Sequence, residues 1–212
     1  MSSLRALILD YGDVLCLPQP PQWIQRMAEV ASVPVSSFTA AYWEFRDPYH
    51  VNWDADRYWR AVLEHARSPL GEADRRAALR TLSILDATSW TAYREGIWKI
   101  AATFKSSGRR TAMLSNGVPD VITRVREERS LDRFFDVVVV SCEVGCAKPD
   151  PAIYELTLER LGVEAGAALF VDDRSENLVA ARAVGLQTFH FTENAEVALF
   201  EYLAASGVDG FR

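Results

Sequence analysis

The chain has 212 residues, of which 49% are hydrophobic and 25% are charged. These are the proportions of an ordinary globular protein, with room for one domain and an insertion. The formal net charge of −6 argues against a nucleic-acid or anionic-membrane partner, because either would favour a basic face, so any phosphate must be bound by a local site.

The first predicted element is a strand at 6–9, and residues 1–5 lead into it without the long apolar region of a signal peptide. About a hundred residues separate it from the next predicted strand, which is too many for one crossover connection. We therefore expect a helical cap domain at 18–88, inserted into a core domain formed by residues 1–17 and 89–212. Apolar spacing predicts helices at 22–31, 36–45, 54–67 and 71–85 in the cap, and at about 92–107 after it.

The rest of the chain alternates between short apolar segments and helix-length periodic segments. This alternation predicts an α/β fold, a Rossmann-like parallel sheet with crossover helices. The further strands are predicted at 111–114, 137–140, 168–171 and 188–191, and the helices between them at 119–129, 151–161 and 175–184.

Polar residues follow four of the predicted strands, at the sheet edge where parallel folds bind ligands. Asp10 follows the first strand, Ser115 and Asn116 the second, Lys148 comes after the third, and Asp172 and Asp173 end the fourth. Each alone has an ordinary explanation as a turn, helix cap or surface residue. Converging together, three carboxylates would repel one another unless a cation compensated them. The set therefore predicts a metal site.

Oxygen ligands beside a phosphate favour Mg²⁺. Asp10 is the candidate nucleophile, because a carboxylate can attack a phosphate that is held in line and neutralised by metal. Ser115, Asn116, the adjacent Gly117 and Lys148 are predicted to hold the phosphoryl oxygens, and Asp10, Asp172 and Asp173 are predicted to hold the metal. Asn177, one helical turn further, either supports the metal ligands or is a plain surface asparagine.

The four segments together resemble the motifs of the haloacid dehalogenase-like hydrolases. They are ILDYGDVL at 8–15, MLSNG at 113–117, CAKPDPAIY at 146–154 and FVDDRSENLVAAR at 170–182. The resemblance spans most of the chain and implies a Rossmann-like core with a helical cap. It is strongest to the phosphatase branch that contains sugar-phosphate phosphatases and the amino-terminal domain of soluble epoxide hydrolases. It implies an Mg²⁺-dependent phosphatase that acts on a small phosphorylated metabolite through an aspartyl-phosphate.

One position departs from the family pattern. Phosphatases of this family usually carry a second aspartate two residues after the nucleophile, which protonates the leaving group and whose carbonyl binds the metal. Gly12 stands there, so a carbonyl ligand remains but no proton donor. General acid–base help is typically worth ~10²–10⁴-fold. Asp13, one residue later, either takes over that role or is only a turn residue.

Two other functions stay open. A metal-free haloacid dehalogenase would use the same nucleophile without the second aspartate, although Asp172 and Asp173 would repel its substrate. A non-catalytic phosphate-binding protein would explain Gly12, but not the retention of Asp10 and Lys148.

The cap and the cysteines complete the predictions. The aromatic residues between 42 and 59 are expected mainly to fill the cap core, with a minority lining the substrate pocket. Arg46, His50 and Arg57 are expected at the surface, with contact to a polar leaving group as the alternative. Three cysteines do not suggest a disulfide framework or a zinc site, so we expect reduced thiols and a cytoplasmic location. We also expect a monomer or homodimer, and no membrane partner, because no apolar segment is long enough to span a bilayer.

Overall fold

The computed structural model describes residues 4–193 and 195–211. Its strands are β1 (Ala6–Leu9), β2 (Arg110–Ser115), β3 (Val137–Val140), β4 (Ala168–Asp172) and β5 (Gln187–His190). They form one parallel sheet in the order β3-β2-β1-β4-β5, with β1 in the middle. The predicted α/β fold with a parallel sheet is confirmed.

The central strand alternates its side chains between two hydrophobic cores. Leu7 and Leu9 pack into the core that the insertion shares, and Ala6 and Ile8 into the core on the other face. Because both faces are covered, β1 carries no polar side chain before Asp10. The same burial explains why β1 and β4 can be recognised in the sequence as continuous apolar segments.

Six helices accompany the sheet after the insertion in the part of the chain that the structure describes. Two of them, α8 and α11, were not predicted: α8 has only one turn, and α11 is too uniformly apolar to show a helical period. The six are α6 (Glu95–Ser106), α7 (Pro119–Glu128), α8 (Ser141–Val144), α9 (Pro151–Leu161), α10 (Ser175–Ala183) and α11 (Glu196–Ala205).

The insertion between β1 and β2 is helical, as predicted. Its helices are α1 (Pro21–Ala31), α2 (Val35–Glu44), α3 (Arg46–Val51), α4 (Ala55–His65) and α5 (Glu72–Ser89). The short helix α3 was missed, and α5 runs four residues past its predicted end at 85. The domain limits at 18–88 remain a prediction.

The insertion is tied to the core by a polar contact as well as by packing. The Tyr49 hydroxyl on α3 donates a hydrogen bond of 3.1 Å to Asp120 Oδ2 on α7. No helix within the described ranges has the length and apolar character needed to cross a membrane.

Candidate active site

A cavity of about 240 Å³ lies between the carboxyl ends of the central strands and the insertion. Asp10 follows β1, Ser115 ends β2, and Asp173 follows β4, so the strand order places Asp10 between the other two. Lys148 enters from the loop before α9. All four line the cavity, so the predicted convergence of these side chains at one sheet edge is observed.

The ammonium group of Lys148 lies between two carboxylates. Its Nζ is 2.7 Å from Asp10 Oδ1 and 2.7 Å from Asp172 Oδ2, and its side chain is 1% exposed. Burial opposes the charge on Lys148, but the two carboxylates outweigh burial and raise its pKa above the ordinary value. Lys148 is therefore a fixed positive charge inside the site.

Asp10 is buried in the same cluster. Burial raises the pKa of its carboxyl well above the ordinary value, Lys148 lowers it, and Asp172 raises it again. Both recorded polar contacts of the carboxylate fall on Oδ1, which accepts from the Tyr11 N–H at 2.7 Å and faces Lys148. The side chain is thus held by one oxygen.

Asp172 is engaged at both oxygens by the protein itself. Oδ1 accepts from the Arg174 N–H at 2.8 Å and from Asn177 Nδ2 at 3.0 Å. Oδ2 accepts from Lys148 Nζ at 2.7 Å and from Asn177 Nδ2 at 3.1 Å. Asn177 is 2% exposed and donates to Asp172, so it is not a plain surface asparagine.

Asp173 completes a cluster of three carboxylates. Oxygen atoms of Asp10, Asp172 and Asp173 lie within 4.8 Å of one another. Burial, then Asp172 and Asp13, raise the pKa of Asp173 to about 6, whereas Lys148 lowers it. Since one buried ammonium faces three carboxylates, the cluster carries surplus negative charge and fits a cation with a preference for oxygen ligands.

The loop after β2 braces the site. Asn116 Nδ2 donates to the Lys148 carbonyl at 2.8 Å, and its Oδ1 accepts from the Lys148 N–H at 2.8 Å. The Asn116 side chain therefore positions the Lys148 backbone. At Gly117 a Cβ would lie 2.7 Å from Val140 Cγ1, so only glycine fits this approach to β3.

The segment after the nucleophile forms a turn. Gly12 has φ −60° and ψ 134°, and Asp13 has φ 54° and ψ −5°, which is close to a type II turn. Asp13 lines the cavity, and its Oδ1 is buried without a hydrogen-bond partner in the described ranges. Burial raises the pKa of Asp13, which Arg94 opposes. The carboxylate absent at position 12 is thus present one residue later.

The insertion and the segment after α5 supply four side chains to the cavity: Trp43, Arg46, His50 and Trp90. Trp43 belongs to the aromatic minority expected there, whereas sequence reasoning missed Trp90. The surface position expected for Arg46 is wrong: its side chain is 5% exposed, because it pairs with the buried Asp86 at 2.9 Å.

His50 and Arg57 differ in their exposure and in their position relative to the cavity. His50 is half-buried and lines the cavity. Arg57 is exposed, as expected, and its guanidinium lies 4.3 Å from the centre of the Trp53 ring, outside the cavity lining.

Comparison with known proteins finds relatives that match from half to nearly all of the chain. Acyl-CoA dehydrogenase family member 10 of Mus musculus is 29% identical over 97% of this chain and 19% of its own length. Bifunctional epoxide hydrolase 2 of Sus scrofa is 35% identical over 51% of this chain and 20% of its own length. The chain thus spans about a fifth of these two relatives. (S)-2-haloacid dehalogenase 4A of Burkholderia cepacia is 25% identical over 95% of this chain and 89% of its own length.

The fold also matches solved structures. A HAD family enzyme of Bacteroides thetaiotaomicron, in complex with magnesium and inorganic phosphate, aligns with a TM-score of 0.64 at 16% identity, covering 90% of this chain and 96% of that chain. The sequence model described as haloacid dehalogenase-like hydrolase matches residues 4–185. The resemblance to this superfamily, including its epoxide hydrolase relatives, is confirmed. The chain belongs to the haloacid dehalogenase-like hydrolase family.

Proposed function

We propose that the protein is a Mg²⁺-dependent phosphomonoester hydrolase that acts on a small phosphorylated metabolite through an aspartyl-phosphate. The observation that carries the proposal is the placement of Lys148 between Asp10 and Asp172, with Asp173 beside them. The site offers a nucleophile, a fixed cation and a place for a divalent metal within one small cavity.

The acidic cluster supplies the metal ligands. Asp10, Asp172 and Asp173, with the Gly12 carbonyl, would hold Mg²⁺. Asp172 also accepts hydrogen bonds from Lys148 and Asn177, which orient it, as is usual for a carboxylate that binds a metal. When bound, Mg²⁺ offsets charge on the phosphoryl oxygens and favours attack by an anionic carboxylate.

The protein's own groups account for the remaining chemistry. Because Asp10 Oδ1 is held by Lys148 and the Tyr11 N–H, we assign the attack on phosphorus to Oδ2. The new oxygen–phosphorus bond forms as the bond to the alcohol oxygen breaks, and water then cleaves the aspartyl-phosphate to release inorganic phosphate and restore Asp10. Lys148, the Ser115 hydroxyl and the backbone of Asn116 and Gly117 would stabilise the phosphoryl oxygens.

The proton for the leaving group has a candidate source in Asp13. Gly12 has no side chain to supply it, whereas the Asp13 carboxyl faces the same cavity with an unpartnered oxygen. Asp13 is also near enough to Asp173 to raise the pKa of that carboxyl. We assign the acid–base role to Asp13.

The test is phosphate release from p-nitrophenyl phosphate and a panel of sugar, nucleotide and acyl phosphates, with Mg²⁺ and after EDTA treatment. We expect turnover that requires Mg²⁺, returns when Mg²⁺ is restored, and is absent in Asp10→Asn. A protein that binds phosphate tightly but turns over none of the panel would instead support the non-catalytic alternative.

A metal-free haloacid dehalogenase is the second candidate, favoured by the relative from Burkholderia cepacia that matches nearly the whole chain. The charge of the site opposes it, because Asp172 and Asp173 add negative charge where a haloacid carboxylate would bind. Halide release from a 2-haloacid in the presence of EDTA would overturn the phosphatase proposal.

A further inference from the structure

The side chains that the insertion and the segment after α5 contribute to the cavity indicate which kind of leaving group the site accepts. We define the cap wall as Trp43, Arg46, His50 and Trp90. Val118 and Val121 of the core line the same cavity. Since the acidic cluster and Lys148 account for the phosphoryl group, the cap wall is left to contact the group that carries the phosphate.

Arg46 is the cationic residue of the cap wall, but its charge is already compensated. Its Nη1 lies 2.9 Å from Asp86 Oδ2, and the two side chains are 5% and 1% exposed. The rings of Tyr42, Tyr58 and Tyr49 surround the guanidinium, with centres 4.8, 5.5 and 5.6 Å from its carbon. The guanidinium is therefore committed to the cap interior and offers no free counter-charge to a ligand.

His50 adds no charge at neutral pH. Burial, with Arg46, Arg174 and Lys148 nearby, lowers the pKa of its imidazole to about 3. Arg174, on the core side, pairs with Glu176, and both side chains are more than half exposed, so solvent screens them. The cap wall thus presents two indoles, a neutral imidazole and a compensated guanidinium.

The cavity volume shows what can fit. An apolar cavity of about 150 Å³ is large enough to take up benzene. The cavity of about 240 Å³ therefore has room for a phosphoryl group and one ring or a short alkyl chain.

Resting on the proposed function, we propose that the substrate is the phosphate ester of an uncharged, largely apolar alcohol or phenol of about one ring in size. A second anionic group, such as a carboxylate, would lose its hydration against Trp43 and Trp90, while the one solvent-exposed cation described in the cavity lining, Arg174, is already paired with Glu176. Indole faces and the two valines favour an apolar ring or chain.

Binding of unhydrolysable analogues tests this independently of turnover. With Mg²⁺ present, calorimetry on the full chain compares phenylphosphonate, 4-carboxyphenylphosphonate and inorganic phosphate. We expect phenylphosphonate to bind at least about tenfold more tightly than its carboxylated analogue. Trp43→Ala should weaken phenylphosphonate binding about five- to tenfold and leave inorganic phosphate unchanged.

Trp23→Ala is the matched control, because Trp23 packs beside Arg26 on α1 and does not line the cavity. It should change neither affinity. Trp43 is 50% exposed, so its replacement should not unfold the cap, which circular dichroism checks.

Equal or tighter binding of the carboxylated analogue, or a Trp43→Ala variant with unchanged affinity for phenylphosphonate, would overturn the inference. Hydrolysis of phenyl phosphate and 4-carboxyphenyl phosphate separates this from the proposed function. Turnover without the expected preference refutes only the leaving-group inference, whereas absence of both turnover and phosphate binding refutes the phosphatase proposal itself.

Discussion

Replacing Asp86 by asparagine should destabilise the protein by about 3–5 kcal/mol, because it leaves the buried guanidinium of Arg46 without its counter-charge. The Asp86 carboxylate accepts from Arg46 Nη1 at 2.9 Å, from the Tyr42 hydroxyl at 2.5 Å and from Trp90 Nε1 at 3.3 Å. An asparagine has the same shape but only one accepting oxygen, and its amide hydrogens would face a donor. The expected decrease in the free energy of unfolding is therefore larger than the contribution of one neutral hydrogen bond, which is about 1 kcal/mol.

Urea unfolding at pH 7, followed by tryptophan fluorescence, measures the free energy of unfolding of the variant. The double variant Arg46→Met/Asp86→Leu is the control, since removing both charges together should cost much less than removing one. A loss below about 1 kcal/mol in Asp86→Asn would refute the reasoning, because it would mean that the pair contributes no more than a surface ion pair. The same variant should also bind 4-carboxyphenylphosphonate better relative to phenylphosphonate, since Arg46 then has an uncompensated charge beside the cavity.

Three further predictions concern the carboxylates of the site. Asp10→Asn should lower phosphate release by at least about 10⁴-fold and prevent formation of the aspartyl-phosphate, because an amide is not a usable nucleophile. Burial, then Asp172 and Asp13, raise the pKa of Asp173 to about 6, so its contribution to stability is present below about pH 4 and is lost as the pH rises through 6. Thermal unfolding should therefore show that the metal-free protein loses at most about 1 kcal/mol between pH 5 and pH 7, because solvent screens this half-buried group, and that Mg²⁺ stabilises it more at pH 7. Equal stabilisation by Mg²⁺ at both pH values would contradict this. Asp13→Asn should slow the hydrolysis of alkyl phosphates by about 10²-fold and that of p-nitrophenyl phosphate far less. Gly12→Asp, added to the Asp13→Asn variant, should restore part of the lost activity in kinetic assays, because the new Cβ meets no atom within 4 Å.

The sheet and the convergence of the site could be predicted from the sequence because both depend on local patterns. A strand buried on both faces is largely a continuous apolar segment, and the polar residue that follows this segment marks the carboxyl end of the strand. Asp10, Ser115 and Asp172 are each placed by this rule alone. Parallel pairing then brings the strand ends to one edge without any further information.

The cap wall could not be predicted in the same way, because its polar network joins residues that are distant in sequence. Arg46 and Asp86 are separated by 40 residues, and neither lies in a motif. A charged residue among aromatic ones is usually at the surface, and only the packing of α2, α3 and α5 reveals that this pair is buried. Trp90 was missed for a related reason, since its indole nitrogen donates to the buried Asp86 and no motif marks either residue.

The turn after the nucleophile gives a physical reason to look for function at Asp13. A type II turn needs a positive φ at its third residue, where glycine is unstrained and where aspartate, although better tolerated than most residues, is still less favourable than glycine. This chain places glycine at position 12, where φ is −60°, and aspartate at position 13, where φ is 54°. It thus accepts backbone strain and also buries an oxygen of Asp13 without a hydrogen bond in the described ranges. A turn that served folding alone would relieve both costs by carrying glycine at position 13. The strain and the unpartnered oxygen occur together on one carboxylate that faces the nucleophile's cavity, which is where a proton donor for the leaving group must lie.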